Sequence, residues 1–336
     1  MENLIEIRDL KTQFFTYAGV VKAVNGISFE IKKGEAVGLV GESGCGKTVT
    51  GLSIMRLISY PPGRIVSGSI YFEGKDLLSL SENEMRNIRG GEISMIFQDP
   101  MTSLNPVLTI GEQIIEVLKL HKSISRENAR KKSIDLLNLV QIKSPEKVIS
   151  QYPHQLSGGM RQRVMIAIAL ACEPKLIIAD EPTTSLDVTI QAQILNLLKD
   201  LKSRINTSIL LITHNLAVVA GLCTKVIVMY AGLIVEVGSD KQVYYNPGHP
   251  YTFGLLKSVP RIDEEEKEKL ATIPGLPPDL LSPPEGCPFC FRCNYSMNIC
   301  FKEKPPFYEI ENGHKVSCWL FDKRAPKIKR SISIHE

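Results

Sequence analysis

No apolar run in this chain approaches the roughly 20 residues that a membrane-crossing helix needs; the stretch Val164 to Cys172 falls well short. A role at a membrane would therefore have to come through a partner. The first residues, Met1-Glu2-Asn3-Leu4-Ile5-Glu6, lack a basic segment followed by a long apolar stretch, so no signal peptide is expected. Strong charge of one sign is missing too. A net charge of +4 gives no argument for a nucleic-acid partner. The basic tail residues Lys323, Arg324, Lys327, Lys329 and Arg330 read as a solvated run, with an anionic membrane surface as the alternative. Cysteine is sparse through most of the chain. Cys45, Cys172 and Cys223 are scattered, whereas Cys287, Cys290, Cys293, Cys300 and Cys318 crowd into the last fifth. Without an export signal, such crowding favours metal ligation over disulfides.

What is present suggests two domains, because 336 residues exceed one typical domain. Residues Leu4 to Phe29 alternate apolar and polar about Tyr17-Ala18-Gly19, which predicts a hairpin. Ile70-Tyr71-Phe72 reads as an edge strand and Ile93 to Phe97 as a short strand ending at Gln98. From about Asp99 to Gln155 the spacing turns helical, with Ser125 as an N-cap, and predicts a helical insertion. A buried helix over Met160 to Ala171, a strand at Lys175 to Ala179, a helix over Ile190 to Leu201, a strand at Ile209 to Ile212 and a hairpin over Val226 to Val237 follow. Strands alternating with helices imply an α/β fold with a mostly parallel sheet. After about Ser239 proline becomes dense, and Asp263 to Lys269 is a charge run read as solvated. This tail reads as a separate loop-rich module whose staple is its cysteines.

Gly41-Glu42-Ser43-Gly44-Cys45-Gly46-Lys47-Thr48 matches G-x-x-x-x-G-K-[ST] between an apolar strand (Ala36 to Val40) and a helix (Val49 to Leu57). In that context backbone N–H groups can converge on a phosphate, Lys47 can reach the outer phosphates and the Thr48 hydroxyl can ligate Mg²⁺. Downstream, the strand Leu176 to Ala179 runs into Asp180-Glu181 and delivers two carboxylates to the carboxyl edge of a sheet. Asp180 can hold Mg²⁺ through water, and Glu181 can polarise an attacking water. Ser157, Gly158 and Gly159, directly before a helix, make a second anion site. Two phosphate cradles per chain make sense when two chains sandwich one ATP. His214 follows its strand within reach of a γ-phosphate, and the Gln98 amide can contact both Mg²⁺ and water.

Together these residues resemble the nucleotide-binding subunit of an ATP-binding-cassette transporter over about residues 4 to 240. Walker A is Gly41–Thr48, the Q-loop Gln98, the signature Leu156–Met160 and Walker B Lys175–Glu181. Ser185-Leu186-Asp187 is similar to the D-loop and His214 to the switch histidine. The resemblance implies a P-loop NTPase with a RecA-like core, an antiparallel β subdomain and a helical subdomain at about 99–160. It makes Glu181 the general base, with His214, Gln98 and Lys47 supporting the reaction. Gly41, Ser43, Gly44, Cys45, Gly46, Lys47 and Thr48 would bind the nucleotide, and Ser157, Gly158, Gly159 and Asp187 would close the partner's site. Mg²⁺ would be held by Thr48, Gln98 and Asp180. Phe14 would stack on adenine, with Tyr17 as second choice. Cys45 occupies a variable position and is expected to be tolerated and oxidisable.

Gln151-Tyr152-Pro153-His154-Gln155 resembles the importer branch. Asn246-Pro247-Gly248-His249-Pro250-Tyr251-Thr252, Leu255 to Pro260, Ile273 to Pro277 and Gly286-Cys287-Pro288-Phe289 resemble the C-terminal extension of dipeptide and oligopeptide permease ATPases. Spacing alone would take Cys287, Cys290 and Cys293 as ligands. The family pattern implies instead Cys287, Cys293, Cys300 and Cys318, holding a [4Fe-4S] cluster in a small C-terminal domain at 241–336, with Zn²⁺ as the alternative and Cys290 as a bystander or spare ligand. The implied activity is ATP hydrolysis energising peptide import at the cytoplasmic face of the membrane. The implied partners are permease subunits, a second identical or related ATPase chain and, indirectly, an extracytoplasmic peptide-binding protein. The competing readings are a soluble cassette ATPase of translation or DNA repair, and an importer of another solute such as a metal chelate.

Overall fold

The computed structural model describes residues 2–184, 187–258 and 273–326. Ser185 and Leu186, the charge run Asp263 to Lys269 and the basic residues from Lys327 onward lie outside them. The chain forms two compact units: Met1–Leu4, Ile31–Ala36 and Lys75–Ile212 in the first, and Ile5–Glu30, Val37–Gly74 and Thr213–Glu336 in the second.

In the first unit, strand Leu176–Asp180 lies between Ile93–Ile96 and Ser208–Thr213 and runs parallel to both. Every residue of Leu176–Asp180 and of Ser208–Thr213 is buried. That is the burial expected of parallel strands covered on both faces, and each such Ile or Leu contributes about 1.5–3 kcal/mol. Helices Ile110–His121 and Arg126–Leu139 fill the insertion. Thr109 and Glu112 form a capping box at the first, and Ser125 caps the second as its sequence suggested. Helix Gly158–Leu170 is buried from Gln162 onward on most of its faces. It begins earlier than apolar spacing alone indicates, because Ser157 accepts from the Met160 N–H at 3.4 Å. Helix Val188–Ile205 likewise starts at its cap, where Asp187 Oδ1 accepts from Ile190 N–H at 2.9 Å.

In the second unit, Asn3–Thr16 lies beside Gly19–Lys32 and pairs antiparallel with Gly63–Phe72. The hairpin about residue 18 is present, and the strand read as Ile70 to Phe72 is ten residues long. Ala36–Val40, wholly buried, runs parallel to Lys225–Tyr230, which forms a hairpin with Leu233–Ser239. The tail does not stand apart from this sheet. His314–Ser317 pairs antiparallel with Leu233–Ser239, and Phe307–Glu311 adds the next strand. A buried carboxylate pins the junction. Glu236, wholly inaccessible, accepts from Gly248 N–H at 2.7 Å and His249 N–H at 2.9 Å, and its Oε1 lies 2.7 Å from His314 Nε2. Satisfying that carboxylate explains why Gly248 and His249 sit in a tight turn ahead of helix Pro250–Lys257.

Candidate nucleotide-binding and hydrolytic site

The phosphate-loop residues lie in the second unit. Gly46 precedes helix Lys47–Ile54 at φ +102°, and a Cβ there would stand 2.2 Å from the Ala23 carbonyl oxygen. A Cβ on Gly41 would stand 2.1 Å from the Met229 carbonyl oxygen and 2.7 Å from Cys45 Sγ. Both positions therefore require glycine, for close approach at Gly41 and for close approach and backbone angle at Gly46. The Lys47 side chain is buried, and its Nζ donates to the carbonyls of Gly41 at 2.9 Å and Glu42 at 2.8 Å. Ser43, Gly44 and Thr48, in the same loop and helix start, are exposed. Backbone donors, one buried cation and an exposed hydroxyl at a helix start suit a polyphosphate and its Mg²⁺.

Cys45 is buried, with its Sγ 3.8 Å from Lys47 Nζ. Burial pushes the thiol up from its ordinary range despite Lys47 nearby. Phe14 is half-buried and pairs with Gly63, where its ring fills the space a Cβ would take. Phe15 and Tyr17 are exposed, Tyr17 completely. His214 is exposed just past Thr213, and the Thr213 hydroxyl accepts from Asn215 N–H at 3.1 Å.

The acidic strand end lies in the first unit. Asp180 closes its strand almost fully buried. Glu181 takes φ +45°, in the left-handed region, and its N–H donates to the Ile212 carbonyl at 2.9 Å. A non-glycine residue in that conformation is held there by its surroundings, a common feature of working sites. Its Oε2 accepts from Gln98 Nε2 at 3.1 Å and from Thr184 Oγ1 at 2.9 Å. Thr184 was not singled out from sequence; a hydroxyl three residues after the acidic pair was the available signal. Ser157 and Gly158 are exposed at their helix start, and a Cβ on Gly159 would stand 3.1 Å from Ile190 Cγ2. Gly159 thus also lets two helices pack closely. Asp187 is exposed and engaged as an N-cap.

Among the described residues, no group of three or more His, Cys, Asp or Glu side chains is arranged to hold a metal ion. The cage expected at Cys287, Cys293, Cys300 and Cys318 is therefore not preformed. All but Cys293 of the five tail cysteines are buried, and burial pushes the Cys287 thiol up to about 12 and that of Cys293 to about 11. Cys293 Sγ accepts from Tyr295 N–H and Cys300 Sγ from Met297 N–H, both at 3.4 Å. Tyr251 and Arg292, from the tail, both contact Glu42 inside the phosphate loop. From sequence Tyr251 stood only as part of the extension motif, and Arg292 was not singled out.

These features define an ATP-binding cassette, and comparison with known proteins agrees. Residues 24–184 match the family model described as ABC transporter, and residues 235–300 match that of the oligopeptide/dipeptide transporter C-terminal region. The chain is 55% identical over 326 residues to the oligopeptide transport ATP-binding protein OppD of Bacillus subtilis, covering 97% of this chain and 91% of that one. It is 53% identical to the dipeptide transport ATP-binding protein DppD of the same organism, covering 97% of each, and 52% identical to OppD of Escherichia coli, covering 94% and 93%. Among solved structures, the ATP-binding cassette MJ0796, in a dimeric post-hydrolysis state bound to ADP and Pi, superposes with a TM-score of 0.64. That match is at 28% identity and covers 70% of this chain and 98% of that one. The chain belongs to the ABC transporter family, in its oligopeptide and dipeptide transport branch. Among the described residues, no helix is long and apolar enough to cross a membrane.

Proposed function

We propose that this chain binds and hydrolyses ATP to energise import of dipeptides or oligopeptides through membrane permease subunits, paired with a second cassette chain. The observation that carries the reading is the loop in which Gly41 and Gly46 leave no room for a Cβ and Lys47 is buried, in a chain 55% identical to a peptide-transport ATPase over 97% of its length. We assign Gly41, Ser43, Gly44, Cys45, Gly46 and Lys47 to the phosphates, and Thr48, Gln98 and Asp180 to Mg²⁺, which screens the phosphate charge when bound. Glu181 is the general base, oriented by Gln98 and Thr184, and His214 supports the γ-phosphate. Phe14 packs on adenine. Ser157, Gly158, Gly159 and Asp187 act on the nucleotide of the partner chain, consistent with the dimeric state of the cassette MJ0796.

Exposed Phe97 and Met101, close to Gln98 in sequence, offer the permease an apolar footing beside a residue tied to Glu181. We take residues 1–240 as the cassette and 241–336 as the peptide-transporter extension. Within it, Cys287, Cys293, Cys300 and Cys318 would hold a [4Fe-4S] cluster, or Zn²⁺, once their thiols deprotonate. Support for that reading comes from the crowding of the cysteines and the N–H groups directed at Cys293 and Cys300. Nucleotide binding by the Lys47→Ala variant tests the ATP assignment: loss of binding is expected, and unchanged binding contradicts it.

A further inference from the structure

The phosphate loop carries an acidic side chain of its own, Glu42, in a place where a negative charge opposes the binding of an anion. The tail holds this residue at its N–H and at both carboxylate oxygens. Its N–H donates to the Tyr251 hydroxyl at 2.7 Å. Arg292 grips the carboxylate as a fork, Nη1 to Oε2 at 2.6 Å and Nη2 to Oε1 at 2.9 Å. The Glu42 carbonyl takes the Lys47 ammonium group from within the loop.

Arg292 is itself fixed. Its side chain is 5% exposed. The remaining guanidinium bonds run from Nε to the Pro274 carbonyl at 3.0 Å, from Nη2 to the Ile273 carbonyl at 3.2 Å and from Nη1 to the Tyr230 hydroxyl at 3.1 Å. With the two bonds to Glu42, these use the five N–H groups a guanidinium possesses. Tyr230, Tyr251 and Phe289 pack their rings together behind the loop, with centroids 4.5 to 5.4 Å apart. A solvated surface bridge contributes little and specifies little, whereas a guanidinium this buried and fully bonded fixes geometry.

We propose that Arg292 and Tyr251 are positioning residues for ATP. They hold the phosphate loop through Glu42, and Arg292 cancels the charge that Glu42 would otherwise present to a bound triphosphate. The extension found in this branch thereby serves the nucleotide site as well as its own cysteines. Arg292 closes the short turn Cys290–Arg292, immediately before Cys293, so whatever orders the cysteine segment also orders the side chain that holds the loop. This inference rests on the reading of residues 41–48 as the ATP loop.

The test uses the full-length chain, with Mg-ATP affinity, KM and kcat measured alongside thermal stability. Arg292→Ala should weaken ATP binding about tenfold and raise KM similarly, with kcat within about twofold, because an unpaired carboxylate is left in the loop. Adding Glu42→Gln to Arg292→Ala should restore most of the lost affinity, a rescue that a purely structural role of Arg292 would not give. Arg292→Lys, which keeps the charge and loses the fork, should lie between and carries the same rescue test if the alanine variant fails to fold. Wild-type affinity in the folded Arg292 variants overturns the proposal, and so does a double variant as weak as the single one. Failure of the unmodified chain to bind ATP, or binding indifferent to Lys47→Ala, would instead defeat the ATP reading itself.

Discussion

The Gln98 side-chain amide donates to Glu181 Oε2 at 3.1 Å, joining residues 83 positions apart in sequence. Gln98 lies two residues past strand Ile93–Ile96, ahead of the helical insertion, and Glu181 follows directly on strand Leu176–Asp180. Gln98 thus touches the carboxylate assigned to activate water. Thr184 donates to the same oxygen, so two neutral donors fix the rotamer of the acid.

Glu181→Gln should therefore retain ATP binding and lose hydrolysis by about 10²–10⁴-fold, the usual contribution of a general base. Thr184→Ala should cost much less, because it frees the rotamer and keeps the carboxylate. Phosphate release under ATP saturation checks both. Turnover by Glu181→Gln close to that of the unmodified chain would place the base elsewhere.

The junction of cassette and tail should respond to acid. Burial pushes the His249 imidazole down from 6.5 to about 4, against the opposing pull of the Glu236 carboxylate. The folded value lies below the unfolded one, so between them the unfolded chain binds a proton that the folded chain does not. Stability is then full above about pH 6.5 and falls by up to about 3 kcal/mol as pH drops towards 4. Melting temperatures across that range should decline less steeply in His249→Gln. Equal slopes would show that other groups govern the acid limb.

For the cysteine segment, anaerobically purified full-length chain should contain iron and sulfide, or zinc, in near-stoichiometric amount. Cys300→Ser should abolish this and Cys290→Ser should leave it intact, since only Cys300 belongs to the four assigned ligands. Metal-free protein from both the unmodified chain and Cys290→Ser would end the metal assignment.

What could be read from the sequence was local. The phosphate loop, the acidic strand end and Ser157 combine a turn with its flanking strand or helix, so their placement follows from residues a few positions apart. Helix starts shifted because side-chain caps at Ser157 and Asp187, rather than apolar spacing, decide where a helix begins. The tail hairpin escaped notice because Phe307–Glu311 is five residues long and none of them is fully buried, leaving no apolar core face to detect. The Arg292–Glu42 pair spans 250 positions, and no periodicity encodes such a contact. The role of Tyr251 was hidden inside a motif recognisable only by resemblance. The cysteines were legible as a cluster, but spacing along the chain does not determine which sulfurs converge.

Whether ATP hydrolysis by this chain drives peptide import is decided by uptake in the assembled transporter. In proteoliposomes containing the permease subunits and both cassette chains, with the peptide-binding protein supplied on the opposite face, labelled peptide should accumulate only with Mg-ATP. It should fail to accumulate when this chain carries Glu181→Gln. Peptide uptake that proceeds equally without ATP, or equally with Glu181→Gln, would contradict the account.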